Sequence, residues 1–329
     1  MNTIGKILTL TTFGESHGPA MGGVLDGMPA GVEIDLDELQ RFVDRRRTGS
    51  YVGASTRDEK DRVEVLSGFW QGKTLGTPIG FIVRNADARS ADYDEIARCY
   101  RPNHADFTWE AKYGIRDPRG GGRASARETV ARVVAGGIAV QTLNRLGITV
   151  TARIDAKSCA SAEAMEQVVA QGDTLGGIIE CVVSGVPAGL GEPLFGKLHA
   201  RLAAAMMSIP SVHGFEYGDG FDMASKRGSE VMDLFEKRDD GTIGTVTNHS
   251  GGIQGGISNG EDIVMRIAFK PVPTLMREVP TVDRDGNPVT LPPRGRHDAC
   301  VVPRALPIVE AMAALVILDN YLIKKTNVL

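Results

Sequence analysis

Arg119-Gly-Gly-Gly-Arg-Ala-Ser-Ala-Arg127 runs directly into Glu128 and an apolar helical pattern, and this stretch is the most informative part of the sequence. Three consecutive glycines let backbone N–H groups approach a ligand closely, and three arginines supply positive charge in planar donor forks. Ser125 and Glu128 have the spacing of a capping box, which predicts a helix N-terminus and its partial positive charge. The stretch therefore predicts an anion-binding corner. The alternative is a glycine turn before a capped helix, with arginines that are merely solvated.

The helix that begins in this stretch is predicted to reach about Leu146. The sequence before this helix resembles the sequence after it. Residues 24–31 (VLDGMPAG) and 182–189 (VVSGVPAG) share a strand-like lead and a Gly-x-Pro-Ala-Gly turn. Further along, residues 67–72 (SGFWQG) and 250–255 (SGGIQG) recur in the same order, each before a strand pattern. The same order of parts therefore occurs twice.

This repeated order predicts an internal duplication within one domain, 1–329. We expect an α/β fold of the α+β type: a single-domain β-α-β sandwich with a pseudo-two-fold, in which repeats at about 1–120 and 175–300 are joined by the central helix. Gly136 and Gly137 in that helix are expected to permit close packing. Chance recurrence of turn motifs is the alternative, because Gly and Pro recur in any turn.

The composition is that of an ordinary globular protein, with 42% hydrophobic residues. The 37 basic and 41 acidic residues leave a net charge of −4, which offers no bulk field to recruit nucleic acid or an anionic membrane. Four cysteines without C-x-x-C spacing argue against a zinc site and a disulfide framework and favour a reducing, cytoplasmic location. No uninterrupted apolar run is long enough to predict a membrane span. A last apolar helix, from about Pro307 to Ile323, should be buried or lie in a subunit contact.

Two histidines stand on loops that suit proton transfer. His17 lies in Gly14-Glu-Ser-His-Gly18, beside the hydroxyl of Ser16, and a histidine that titrates near neutrality can protonate a leaving group. His104 lies in Arg101-Pro-Asn-His-Ala-Asp106, where the X-Pro step favours an extended approach and an arginine adds positive potential. The alternative for each is a structural loop histidine whose hydrogen bonds are local.

One carboxylate has a comparable position. Asp298 lies in Arg294-Gly-Arg-His-Asp-Ala-Cys300, whose cations would keep it ionised and able to act as a base; the alternative is a charged surface loop. Together with the arginines on glycine-rich loops, these residues predict a polyanionic substrate and proton transfers, without a covalent Ser or Cys intermediate and without a metal.

Five motifs, in one order along nearly the whole chain, resemble those of the chorismate synthase family: GESHGPAMGGVLDGMPAG, RPNHADFT, RGGGRASARETVARVVAGG, HSGGIQGGISNG and RGRHDAC. Members of that family convert 5-enolpyruvylshikimate 3-phosphate to chorismate, the last step of the shikimate pathway, by a 1,4-anti elimination of phosphate and a C6 hydrogen. The resemblance implies a lyase that needs reduced FMN although the reaction has no net redox change.

The resemblance also implies site residues. His17 would protonate the departing phosphate, His104 would protonate the flavin near N1, and Asp298 would help flavin N5 to remove the C6 hydrogen. Ser16, beside His17, joins the catalytic set. The residues implied for flavin binding are Arg123, Ala124, Ser125, Pro210, Ser211, Gly255, Lys270, Pro271, Val272, Pro273, Thr274 and Arg296. Those implied for the substrate or NADP are Arg46, Arg101 and Arg127, with Arg296 near the ring.

Thr48 and Val52 depart from the family pattern, and Arg57 or Arg47 is expected to supply the missing cation. Ser125 is expected both to cap the helix and to contact FMN, which places two demands on one hydroxyl. The resemblance further implies a cytoplasmic homotetramer. Its reducing equivalents would come from NADPH, used by the chain itself or by a separate flavin reductase.

Two other function classes explain less of the sequence. A flavin reductase that uses NADPH shares the need for glycine loops and cations, but it does not need two histidines and an aspartate around a polyanion pocket. An RNA-binding segment at RGGGR would need aromatic residues to stack on bases, and none lies between Ile115 and Glu128.

Overall fold

The structure is a computed structural model, and it describes residues 1–47, 53–54, 60–85, 96–155, 162–293 and 298–327. The helices in these ranges are α1 (Leu36–Asp44), α2 (Asp106–Tyr113), α3 (Thr129–Arg145), α4 (Ala162–Ala170), α5 (Leu198–Met207) and α6 (Val302–Asn327). The strands are β1 (Thr3–Ile4), β2 (Thr9–Gly14), β3 (Ala20–Asp26), β4 (Val63–Val65), β5 (Phe69–Trp70), β6 (Lys73–Thr74), β7 (Ile79–Arg84), β8 (Thr149–Ile154), β9 (Gly177–Ser184), β10 (Val212–Tyr217), β11 (Phe235–Lys237), β12 (Ile243–Thr245), β13 (Ile253–Gln254), β14 (Ile257–Ser258), β15 (Ile263–Phe269), β16 (Val279–Val282) and β17 (Pro288–Leu291).

Two antiparallel sheets enclose a helical layer. The first has the strand order β1-β2-β3-β7-β4, and the second has the order β10-β15-β9-β8. In β15, Ile263, Met265 and Ile267 are buried while the residues between them are partly exposed, which is the period-2 pattern of a strand with one face on a core. α3 packs on β3 of the first sheet, and α6 packs on β8 and β9 of the second. This arrangement confirms the predicted α+β class.

Four strands of each sheet have the same connectivity. β2, β3, β4 and β7 lie side by side as β2-β3-β7-β4, and β8, β9, β10 and β15 lie as β8-β9-β15-β10. α1 and α5 follow the second strand of each set, and the hairpins β5–β6 and β13–β14 precede the last.

The two similar Pro-Ala-Gly turns are held by equivalent hydrogen bonds. The hydroxyl of Thr74 donates to the carbonyl of Pro29 at 2.6 Å, and that of Ser258 donates to the carbonyl of Pro187 at 2.7 Å. The Thr74 hydroxyl also accepts from the backbone N–H of Val32, and the Ser258 hydroxyl accepts from that of Leu190; each donor stands three residues beyond the proline. These matches favour an internal duplication, and the division at about 1–120 and 175–300 stays a prediction.

The glycine pair of α3 permits the close packing that the sequence predicts. A Cβ on Gly136 would overlap the Cβ of Ala311 in α6, and a Cβ on Gly137 would lie 2.6 Å from Cδ1 of Leu39 in α1. Only a residue without a side chain allows the helix backbones to approach so closely.

The start of α3 differs from the predicted capping box. Oγ of Ser125 accepts from the backbone N–H of Arg127 at 3.3 Å, and the carboxylate of Glu128 accepts from Nε of Arg132 at 3.1 Å instead of reaching back. Residues 126–128 form a 3₁₀ turn, whose tighter winding brings the N–H of Arg127 nearest the hydroxyl. Ser125 is therefore an N-cap, as predicted, but the reciprocal half of the box is wrong.

α6 begins before the predicted Pro307, which lies inside the helix near its start. Among the described residues, α6 is the one helix long and apolar enough to cross a membrane, but 78% of its most apolar window is buried within the protein. Its acids Glu310 and Asp319 are also buried, and they pair with Arg45 and Arg201. α6 is therefore a core helix, which decides between the two alternatives in favour of burial.

Candidate active site

A cavity of about 390 Å³ lies at the N-terminal ends of α3 and α6. Ser125 and Thr129 line it from the start of α3, and Val301 and Ala305 line it from the start of α6. Helix N-termini carry partial positive charge, so this end of the helical layer favours an anion. The predicted site residues that line the cavity are Arg46, Arg101, His104, Ala124, Ser125, Arg127, Pro210, Ser211, Lys270, Val272, Pro273, Thr274 and Asp298.

Other predicted residues are not among those that line the cavity: Ser16, His17, Arg123, Gly255 and Pro271. Nη2 of Arg123 donates to the hydroxyl of Thr12 on β2 at 2.8 Å, and Gly255 lies in the turn between β13 and β14. The remaining predictions lie outside the described residues: Arg296, Thr48, Val52 and Arg57.

The carboxylate of Asp61 joins two of the predicted arginines. Its Oδ2 lies 3.1 Å from Nη1 of Arg46, and its Oδ1 accepts from Nη1 of Arg127. The side chains are 5% exposed for each arginine and 1% exposed for Asp61. Arg46 also donates to the hydroxyl of Thr129 and to the carbonyl of Ala126, both at 3.0 Å. Burial lowers the pKa of Arg46 to about 10, although the charge of Asp61 opposes this shift.

The glycines of the anion-binding corner pack their backbone against both candidate histidines. A Cβ on Gly120 would overlap Cε1 and Nδ1 of His17, and a Cβ on Gly121 would lie 2.9 Å from Cε1 of His104. Both glycines also have positive φ, +61° and +82°, which side chains rarely adopt. The corner therefore brings two histidines from distant loops against one stretch of backbone.

Ser16 contacts the ring of His17. Its hydroxyl donates to the carbonyl of Arg119 at 3.3 Å and lies 2.9 Å from Nδ1 of His17. When this hydroxyl donates to the carbonyl, its oxygen accepts from Nδ1 of His17, which then carries a proton. His17 is 9% exposed and touches Gly120, which does line the cavity. On the same loop, burial raises the pKa of Glu15, although the positive charge of Arg123 opposes this shift.

Asp106 holds the loop of His104. Its carboxylate accepts from the backbone N–H of Arg101 at 3.1 Å and from Nε and Nη2 of Arg101 at 2.7 Å each, and Oδ1 lies 3.2 Å from Nδ1 of His104. Burial raises the pKa of Asp106, but hydrogen bonds from Arg101 and His104 outweigh it and hold that pKa well below its usual range. Arg101 therefore fixes this loop in addition to facing the cavity.

Lys270 connects two residues with left-handed backbone. Asn103 has φ 58° and Ser211 has φ 71°. The backbone N–H of Lys270 donates to the carbonyl of Ser211 at 2.8 Å, and its Nζ donates to the carbonyl of Asn103 at 2.7 Å. Such strained residues persist only where neighbouring contacts hold them, and all three line the cavity.

Asp298 stands just before α6 and is 7% exposed. It accepts from Nη1 of Arg304 at 2.6 Å, and Nε of Arg304 donates to the carbonyl of Arg46 at 3.0 Å. Arg304 thus connects Asp298, the candidate base, to Arg46.

Comparison with known proteins identifies the family. A family model described as chorismate synthase matches residues 8–322. The chorismate synthase of Parabacteroides distasonis is 52% identical, with 99% of this chain and 99% of that protein covered. The chain belongs to the chorismate synthase family. The chorismate synthase of Chloroflexus aurantiacus is 50% identical, with 98% and 95% covered. A crystal structure of a chorismate synthase superimposes with a TM-score of 0.75 at 29% identity, covering 98% of this chain and 93% of that one.

Chorismate synthases are lyases, and the family implies a flavin cofactor. The residues that line the cavity fit such a group. Pro210, Val272 and Pro273 offer apolar surface to a ring, and Lys270 and the two helix N-termini offer positive charge to a phosphate. Within the described ranges, no group of His, Cys, Asp and Glu side chains is arranged to hold a metal ion.

Three residues at this candidate site are not indicated by any sequence motif. Asp61 falls in the charged run Asp58-Glu-Lys-Asp-Arg62, which is typical of a solvated loop. Thr129 and Arg304 fall inside the helical patterns of α3 and α6. Asp61 stands 66 residues before Arg127, and no sequence pattern indicates that the two meet.

Proposed function

We propose that this chain converts 5-enolpyruvylshikimate 3-phosphate to chorismate and inorganic phosphate, the last step of the shikimate pathway, in dependence on reduced FMN. Family membership supports this proposal, and the observation that carries it is the cavity at the two helix N-termini. There, Arg46, Arg101, Arg127 and Lys270 surround a space that Asp298 also lines. A substrate with one phosphate and two carboxylates matches that charge.

The elimination breaks two bonds of the substrate. The phosphate leaves C3 with the electron pair of its C–O bond, and the electron pair of the ring C1=C2 double bond shifts to form C2=C3. The electron pair of the C6–H bond forms a double bond between C6 and C1 while the hydrogen leaves as a proton. Bound reduced FMN would lend electron density to this process. His17 donates a proton to the departing phosphate, and Ser16 orients its ring through Nδ1. Asp298, held by Arg304, assists removal of the C6 hydrogen.

His104 has a role at the flavin in this proposal, as the proton donor near N1. Its ring is oriented by Asp106 and Arg101, and it lines the cavity. Substrate contacts are assigned to Arg46, Arg101 and Arg127. Because Arg46 already donates to three partners within the protein, it has fewer N–H groups to offer than its charge suggests.

The flavin contacts proposed from the family are Arg123, Ala124, Ser125, Pro210, Ser211, Gly255, Arg296 and the run from Lys270 to Thr274. Ser125 can meet both demands on its hydroxyl. Its oxygen accepts from the N–H of Arg127, which leaves the O–H free to donate to a ligand. Helix capping and flavin binding are therefore compatible at this residue.

We also propose a cytoplasmic homotetramer that has no nucleic-acid or membrane partner. The net charge of −4 supports the absence of nucleic-acid binding. Reducing equivalents would come from NADPH, through this chain or through a separate flavin reductase.

The test supplies 5-enolpyruvylshikimate 3-phosphate and chemically reduced FMN to the full-length protein without oxygen and follows the absorbance of chorismate. We expect product only when reduced FMN is present. Absence of product from correctly folded protein would refute the lyase proposal. If product forms, a second reaction in air with NADPH and oxidised FMN distinguishes a chain that reduces its own flavin from one that needs a reductase.

A further inference from the structure

Asp61 is a buried acid in the wall of a cavity that is built for anions. Each of its carboxylate oxygens faces a different arginine, Arg46 through Oδ2 and Arg127 through Oδ1. A carboxylate at this position opposes anion binding through space, because like charges repel. Any benefit of Asp61 to binding must therefore come through the arginines that it holds.

The backbone of Asp61 is held in a strained conformation. Its φ is 43°, in the left-handed region, which non-glycine residues keep only where surrounding contacts require it. Nε2 of Gln40 in α1 donates to the Asp61 carbonyl at 3.1 Å, and Oε1 of Gln40 accepts from the backbone N–H of Val63 at 3.0 Å. Gln40 thus holds the backbone on the C-terminal side of Asp61.

Arg127 is held at a second point as well. Its Nε donates to Oδ1 of Asn85 at 3.0 Å, and Nδ2 of Asn85 donates to the carbonyls of Glu15 and Gly18, at 3.0 Å and 2.8 Å. Those two carbonyls flank His17. Contacts at Nη1 and Nε together determine the plane of the Arg127 guanidinium, and a fixed plane is what bidentate recognition of an oxyanion needs.

We propose that Asp61 is a positioning residue that acts through Arg127, by fixing the guanidinium plane in which Arg127 receives an oxyanion of the substrate. This inference rests on the proposed function, which supplies the phosphate and carboxylates that would be received. Arg46 anchors the other oxygen of Asp61 to the first turn of α3.

Asp61→Asn keeps the shape of the side chain and removes its charge. We expect KM for 5-enolpyruvylshikimate 3-phosphate to rise about 10-fold while kcat changes by less than about threefold, because binding geometry is lost. If Asp61 acts through Arg127, then adding Asp61→Asn to Arg127→Ala should change KM by less than about twofold beyond Arg127→Ala alone.

The matched control is Asp319→Asn, which removes another buried carboxylate paired with an arginine, far along α6 from the cavity. It should lower Tm and leave KM unchanged.

Two results would overturn the inference. A lower KM for Asp61→Asn, most evident at low salt, would mean that Asp61 acts only by its charge. A lower Tm with unchanged kcat/KM would mean that it acts only on stability. If Asp61→Asn does not fold, Asp61→Glu takes its place: it keeps the charge and moves the carboxylate by one methylene, so an unchanged KM would overturn positioning and a raised KM would support it.

Failure of the proposed function gives a different result. In that case the wild-type protein forms no chorismate with reduced FMN. The positioning role is then decided by calorimetric titration with inorganic phosphate, for which weaker binding by Asp61→Asn supports the inference and equal or tighter binding overturns it.

Discussion

Gly120 and His17 are in direct contact, and the space that a Cβ on Gly120 would need is occupied by the imidazole ring. Because Gly120 also lines the cavity, the orientation of His17 depends on the backbone of the anion-binding corner. Gly120 therefore links the backbone that carries the corner's arginines to His17, the candidate acid, although a glycine has no side chain that could take part in the reaction.

Gly120→Ala should displace His17 and lower kcat by about 10²-fold or more, since proton transfer by a positioned side chain contributes at least that much. Gly147→Ala is the matched control, because Gly147 has a similar φ of +75° but nothing within 4 Å of its Cβ position. Each change should reduce the free energy of unfolding by about 1–2 kcal/mol through backbone strain, and only Gly120→Ala should affect turnover. Equal kcat values for the two variants would show that the contact is irrelevant to catalysis.

His17→Ala and Asp298→Ala should each lower turnover by about 10²–10⁴-fold while FMN still binds, because both side chains are assigned to the substrate side of the ring. Flavin affinity is measured by fluorescence quenching, and kcat is measured from chorismate formation. A loss of flavin affinity as large as the loss of rate would refute this division of roles.

Asp233 should make stability depend on acid pH. Burial raises its pKa, but hydrogen bonds from Ser250, Thr247 and the backbone outweigh it and lower the pKa to about 2. A carboxyl whose pKa is lower in the folded state stabilises the fold above its unfolded pKa of about 4, and this contribution is lost as the pH falls through about 2.

We therefore expect Asp233→Asn to reduce the free energy of unfolding at pH 7 by only about 1 kcal/mol, because water screens part of the interactions of this half-buried carboxylate. The difference from wild type should shrink as the pH falls below 4. Urea unfolding at pH 7, 4 and 3 measures it. A difference that is constant with pH would mean that the ionised carboxylate is not the cause.

Gly136→Ala should destabilise the fold by about 1–3 kcal/mol, because its Cβ would overlap Ala311 where α3 packs against α6. Ala311→Gly in the same chain removes part of that overlap and should recover part of the loss. Denaturant unfolding of the two variants gives both free energies. A Gly136→Ala variant within about 0.5 kcal/mol of wild type would show that the helices separate without cost.

Part of the candidate site follows from local sequence. The glycine triplet, the cap at Ser125 and the histidine loops are contiguous motifs whose physical roles depend on neighbouring residues. The family resemblance predicts that Arg46, Arg101 and Arg127 contact the substrate or NADP. In the structure, two of these arginines also hold the protein together: Arg101 is bound to Asp106, and Arg46 is bound to Asp61 and to the first turn of α3.

The α+β class, the recurrence of the Pro-Ala-Gly turns, the central helix with its glycine pair, and the family can all be predicted from the sequence, since each depends on local propensity, on periodicity or on contiguous motifs. Three other features depend on tertiary packing: Asp61 lies between Arg46 and Arg127, Gly120 and Gly121 touch His17 and His104, and Arg304 holds Asp298. Most of these contacts join residues from distant parts of the chain. Their formation depends on how sheets and helices pack, and a charged residue in such a contact looks, in sequence, like any residue of a solvated loop.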